Sequence, residues 1–153
     1  MTIKPPTEHE LNIITGYARG YTADRIAREL GVTGDSVQST TSRLCRRLGI
    51  RGDRQAALVD YAFRHGYLTV YRPCILGPVP PRQLQVLQRA ARGPGARATA
   101  AQLGIGIWSV KEYRRRLLHA VGARTMAHAV ALAWQAGLLG GPLPAPAEKR
   151  PRP

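Results

Sequence analysis

Apolar side chains along this chain recur at the three-and-four spacing of helix faces. Leu11, Ile14 and Ala18 fall on one side of a first helix. Just ahead of them, Thr7 and Glu10 have the T-x-x-E spacing of a capping box. Gly20 ends that helix. Thr22 caps a second helix with Ile26, Ala27 and Leu30 inward; Gly31 closes it, and "VTG" makes a tight turn. Asp35 or Ser36 caps a third helix that runs to Gly49. Wound at about 100° per residue, its Val37, Thr41, Leu44 and Leu48 form one stripe suited to a core. A fourth, largely apolar helix spans Ala56 to Arg64.

The pattern then repeats. Shifted by 73 residues, "YARGYTADRIARELGV" falls on "AARGPGARATAAQLGI", Ser36-Val37 on Ser109-Val110, Leu44 on Leu117 and Gly49 on Gly122. Both copies end in an alanine-rich apolar stretch and Gly-x-Leu, the second being two residues shorter between Arg51 and Gly66. In the second copy Pro81 suits a first helical position, with Leu84, Leu87 and Ala91 inward. Later helices are expected over Ala96–Leu103, Ser109–Val121 and Ala127–Ala136. Between the copies, "TVYRPCILGPVP" reads as a linker in which Tyr71, Ile75 and Leu76 pack. The tail "GGPLPAPAEKRPRP" reads as disordered. The chain thus divides into 7–68, linker 69–79, 80–139 and tail 140–153.

The third helix is unusually polar on its outer side. Gln38, Ser39, Ser42, Arg43 and Arg46 lie opposite the apolar stripe, a run of hydrogen-bond donors with little negative charge. A helix of this kind, joined by a tight glycine turn to the helix before it, is the arrangement of a helix-turn-helix. The second helix of that motif enters the DNA major groove. There Gln pairs with adenine, Arg with guanine and Ser with either. In the second copy the outward positions hold Lys111, Glu112, Arg115, Arg116 and His119. The run Arg114-Arg115-Arg116 is a dense block of like charge, unfavourable unless something anionic faces it.

Charge points the same way. The formal net charge is +14, and only three of the 23 basic residues are lysines. Arginine's planar fork matches phosphate and guanine. Residues 8–68 hold nine basic and seven acidic residues, net +2; residues 82–139 hold nine and one, net +8. The first copy therefore suits a sequence reader, the second an electrostatic clamp that also has the means to read. With six to ten phosphate contacts, affinity would fall by roughly 10³–10⁵ between 50 and 200 mM salt.

The segment from Thr7 to Leu68 resembles the LuxR-type (GerE-like) helix-turn-helix domain of bacterial transcription regulators, and Pro80 to Leu139 resembles it more weakly. Thr7, Glu10, Ala18, Gly20, Ile26, Ala27, Leu30, Gly31, Val32, Val37, Leu44, Leu48 and Gly49 carry the match. The resemblance implies an all-α fold of two tandem four-helix helix-turn-helix domains, winged-helix-like but wingless. It places base contacts at Gln38, Ser39 and Ser42 and at Lys111, Glu112 and Arg115. Backbone contacts follow at Arg43, Arg46, Arg47, Arg116 and His119. Departures concentrate in the second copy. Pro80 replaces the capping threonine, Thr99 a core isoleucine, and Arg114 an apolar residue. Trp108 sits in the turn where a small residue is usual, and Thr41 stands at an apolar position in the first copy.

In that family the fourth helix often forms the dimer contact. Tyr61, Phe63, Val130 and Trp134 make both fourth helices richer in aromatic and branched residues than one small core requires. They either complete ordinary cores or pair with each other. Pairing would give a monomeric pseudo-dimer with recognition helices about 34–36 Å apart, or a homodimer carrying four units. The leading expectation is a sequence-specific double-stranded DNA-binding transcription regulator, cytoplasmic and nucleoid-associated. The alternatives are a protein-interaction surface that contacts RNA polymerase or another regulator, a nonspecific architectural DNA binder, and an RNA binder. No catalytic residue, cofactor or metal site is expected: His9, His65, His119 and His128 are scattered, and Cys45 and Cys74 have no zinc spacing. No apolar run approaches the roughly 20 residues needed to span a bilayer, and the N-terminus lacks a signal peptide's apolar core.

Overall fold

The computed structural model describes residues 3–69, 76–92 and 95–139. They form eight helices and, among the described residues, no strand: α1 (Glu8–Ala18), α2 (Ala23–Leu30), α3 (Gly34–Leu48), α4 (Arg54–Arg64), α5 (Pro81–Arg92), α6 (Ala96–Leu103), α7 (Ile107–Val121) and α8 (Met126–Gln135). The fold is all-α. No helix of the described residues is long and apolar enough to cross a membrane. The expected tail, and Tyr71, Cys74 and Ile75 of the expected linker, lie outside the described residues; Leu76 is half-buried.

Local chemistry explains the helix ends. The Thr7 hydroxyl accepts from Glu10 N–H (3.2 Å) and the Glu10 carboxylate accepts from Thr7 N–H (2.9 Å), a reciprocal cap. Thr22 caps α2 through Arg25 N–H. The cap of α3 is Thr33, not Asp35 or Ser36: its hydroxyl takes Ser36 N–H at 3.1 Å, and the helix begins earlier than expected. The counterparts of Thr22 and Thr33, Gly95 and Gly106, offer no side-chain cap. Glycine at such a position is a few tenths of a kcal/mol poorer than a capping side chain. The α2–α3 and α6–α7 turns share one geometry, since Gly31 and Gly104 end their helices at φ 71° and 68°, the left-handed region. α7 starts at Ile107 rather than Ser109, which places Trp108 inside the helix and not in the turn before it.

The two-residue difference between the copies is now located. Five residues connect α3 to α4 and four connect α7 to α8, while α4 has 11 residues and α8 has 10. Beyond that point the copies align at an offset of 71, so Phe63 corresponds to Trp134 and Gly66 to Gly137.

The main core draws on both copies. Ile13, Ile14, Tyr17, Val37, Leu44 and Leu58 pack in one continuous cluster with Leu87, Leu117, Val130 and Leu139. A small satellite of Val86, Ala100 and Val110 holds α5, α6 and α7 together. At the centre α4 packs on α8, and around it α4 meets α5 while α1 meets α8. The Phe63 and Trp134 rings stack at 5.5 Å between centroids and 10° between planes. Two equivalent positions thus touch each other, the signature of a two-fold contact, here within one chain. Val130 is fully buried in the same packing. Tyr61 instead lies half-buried beside His65, its ring centroid 4.1 Å from the imidazole.

Polar groups also join the halves. The Asp60 carboxylate, fully buried on α4, accepts from Trp134 Nε1 of α8 (2.9 Å), Arg92 Nε of α5 (3.1 Å) and Arg64 Nε (2.9 Å). Arg114 of α7 pairs with Asp53 at the start of α4. His128, expected on a helix surface, is half-buried between the copies, its Nδ1 accepting Arg124 N–H at 3.1 Å. Gly20 faces it. A methyl group at Gly20 would come within 2.9 Å of His128 Nδ1, and φ there is +82°.

Candidate nucleic-acid interface

α3 supplies the first outward face. Val37, Thr41, Leu44 and Leu48 are all buried, so the opposite side of the helix turns to solvent. Thr41 satisfies its hydroxyl in the core, 2.9 Å from Val37 O and 2.7 Å from Tyr17 Oη. Gln38, Ser39, Arg43 and Arg46 are exposed, and with Ser42 they line one shallow surface depression. The only acid on α3, Asp35, is in the first turn, where it complements the positive end of the helix dipole.

Two residues expected on this face are engaged elsewhere. Arg47 turns inward: Nη2 lies 2.7 Å and Nη1 3.1 Å from the Glu10 carboxylate, a bidentate pair that ties α3 to α1. The nearby guanidinium draws the Glu10 carboxyl below its usual range. Arg47 therefore holds the scaffold and is not presented outward, because Glu10 offers a fixed, partly buried carboxylate where water would otherwise be. Ser42 is half-buried, and its oxygen accepts from Arg54 Nη1 at 2.7 Å. Arg54, at the start of α4, thereby joins the α3 face, a contribution invisible to spacing along α3 alone.

α7 supplies the second face. Lys111, Arg115, Arg116 and His119 are exposed. The basic run resolves into distinct partners. Arg114 is internal, while Glu112 binds Arg115 (Nη2 2.6 Å, Nε 3.1 Å) and Arg116 (Nε 2.9 Å). Those two guanidiniums pull the Glu112 carboxyl down to about 2. Glu112, placed among the base contacts by the resemblance, is paired here with its own helix neighbours Arg115 and Arg116. It spaces two cations that would otherwise repel. Such exposed pairs are weak and salt-screened, so an anionic partner competes for the arginines readily. Trp108, in the first turn, is 76% exposed, with Lys111 Nζ 4.8 Å from its ring centroid.

Among the described residues no three His, Cys, Asp or Glu side chains stand together as a metal site would need. Cys45 is buried, and burial pushes its thiol up to about 11, far from a reactive thiolate.

Asp60 escaped the residue-by-residue reading. The signal was present: one carboxylate stands in the otherwise apolar "AALVDYAF", with Arg64 one turn later. Its other partners, Arg92 and Trp134, are 32 and 74 residues away.

In comparisons with known proteins, no family model, curated protein or solved structure matches this chain.

Proposed function

We propose that this protein is a sequence-specific double-stranded DNA-binding transcription regulator of the LuxR type, with α3 and α7 as paired recognition helices. One observation carries the reading: two helices in equivalent positions each turn a donor-rich face to solvent, and the α4–α8 packing joins them in one body. Gln38 and Ser39 on α3, and Lys111 and Arg115 on α7, are the base-reading candidates. Arg43, Arg46, Arg116 and His119 supply phosphate contacts. The strong positive excess of the second copy draws the duplex in, and the nearly balanced first copy discriminates. The α4–α8 contact makes the single chain a pseudo-dimer, so one molecule suffices for two half-sites.

The test is selection from a random duplex-DNA pool by the full chain at two salt concentrations, with sequencing of the retained DNA. The expected result is a site with two half-sites about 10 base pairs apart. A single half-site would restrict reading to one helix. Salt-dependent retention with no enriched sequence would mean an architectural binder, and no retention at low salt would refute the proposal. Exposed Trp108 favours a second reading for the start of α7, contact with RNA polymerase or another protein. In that reading Trp108→Ala leaves DNA binding unchanged and abolishes partner capture.

A further inference from the structure

An open pocket of about 510 Å³ lies at the seam between the copies, at the C-terminal end of α3. Arg51, Arg64 and Arg92 line it over an apolar floor that includes Leu48, Ile50 and Ala57. Two of these cations are held in place from behind. Arg64 and Arg92 each spend Nε on the same buried Asp60 oxygen, leaving their terminal nitrogens with no hydrogen bond among the described residues. Three guanidiniums against one carboxylate leave the pocket positive. Its volume falls within the roughly 300–1,000 Å³ usual for small-molecule sites.

The opposite seam shows that this pocket is a specific feature and not a by-product of pairing. At the offset of 71, Ala57 corresponds to His128, Asp60 to Ala131 and Arg64 to Gln135. There the His128 imidazole lies over Gly20 at the end of α1, occupying the equivalent space. On this side the imidazole is replaced by a methyl group, and the carboxylate that orients the arginines is added. Both seams carry arginines, since Arg124 and Arg19 correspond to Arg51 and Arg92, but one is filled by an imidazole and lacks the orienting carboxylate, while the other is open and has it.

We propose that this pocket is a binding site for a small amphipathic oxyanion, a phosphate or carboxylate carried on an apolar or aromatic body. The planar forks of Arg51, Arg64 and Arg92 match the oxyanion, and the apolar floor takes the body. A DNA backbone phosphate fits less well, since it brings no apolar group for the floor. The pocket also lies at the C-terminal end of α3, where Leu48 lines it, about 15 Å along the helix from Gln38. Because Arg51 and Arg64 belong to the first copy and Arg92 to the second, an occupant bridges the halves. If the DNA-binding reading holds, that makes it an effector of half-site spacing.

The experiment uses the full chain without DNA, so its outcome is independent of the DNA reading. Phenyl phosphate is titrated while the Trp134 indole N–H resonance is followed, that proton being hydrogen-bonded to Asp60. Inorganic phosphate and phenol serve as half-ligand controls. The expected result is a saturable shift with Kd below about 1 mM for phenyl phosphate, and much weaker effects from either control. Arg51→Gln, which alters an exposed side chain, weakens binding about five- to tenfold through loss of a charge-assisted hydrogen bond. Ala57→His, copying the closed seam, abolishes it. The proposal is overturned by the absence of a saturable shift, or by a shift that survives both substitutions. It is also overturned if Arg51→Gln weakens DNA binding while phenyl phosphate leaves the wild-type resonance unmoved, which would make these arginines a DNA-backbone contact.

Discussion

Asp60→Ala measures how much of the joint between the copies is electrostatic. The carboxylate is fully buried and serves three donors. Breaking a buried ion pair commonly costs about 3–5 kcal/mol, because the surviving charge is stranded. Here the surviving arginine side chains are 40% and 46% exposed, so they rehydrate when the carboxylate is removed. What is stranded is the Trp134 indole N–H, a loss of about 1–2 kcal/mol. The two solvent-discounted guanidinium bonds add about 0.5 kcal/mol each at most, and relief of carboxylate desolvation offsets part of the total. The net expectation is about 1.5–2.5 kcal/mol, smaller than for a fully enclosed pair. Urea unfolding followed by far-ultraviolet circular dichroism reads it. A double-mutant cycle with Trp134→Phe, which keeps the ring stack on Phe63 and removes the donor, should show about 1 kcal/mol of coupling. If Asp60→Ala unfolds within 0.3 kcal/mol of the parent and the cycle shows no coupling, the carboxylate does not hold the halves together and the reasoning fails.

Other consequences can be checked directly. Burial, and then Arg124, hold the His128 imidazole below its usual pKa of 6.5, so the folded state favours the neutral ring. Its contribution is present above pH 6.5 and is lost as pH falls toward the lowered folded value; His128→Gln should flatten the dependence of stability on pH between 7 and 5. Gly20→Ala combines a positive φ with a clash against His128 and should destabilise by more than about 1 kcal/mol, read as a lowered Tm. In a Cys74→Ser background, Cys45 should resist alkylation at pH 8 in the native chain and react at the rate of unfolding, because burial raises its thiol to about 11. Fast native alkylation would contradict the packing of α3. On the selected DNA site, Gln38→Ala should relax one base position by about 1–3 kcal/mol. Arg46→Ala should weaken all sequences alike and reduce the salt slope by about 1.

Helix number, helix faces and the internal repeat were legible in the chain, because each is set by spacing within a few residues. Thr7 with Glu10, the Gly31 and Gly49 stops and the Val37–Leu48 stripe all act locally, and all are as the spacing indicates. The cap of α3 was misplaced because three hydroxyl or carboxylate candidates crowd one turn, and only backbone direction distinguishes Thr33 from Asp35 and Ser36. The choice between separate cores and paired fourth helices was open from sequence. An apolar residue does not carry the identity of its partner, so the stacking of Phe63 on Trp134 emerged only in three dimensions. The fate of individual charges belongs to the same class. Arg47 and Arg114 look like their exposed neighbours in sequence, and what separates them is a carboxylate 37 or 61 residues away. Periodicity thus determined the elements and their faces, while the tertiary structure decided which charges face solvent, because ion pairing depends on distances that folding alone creates.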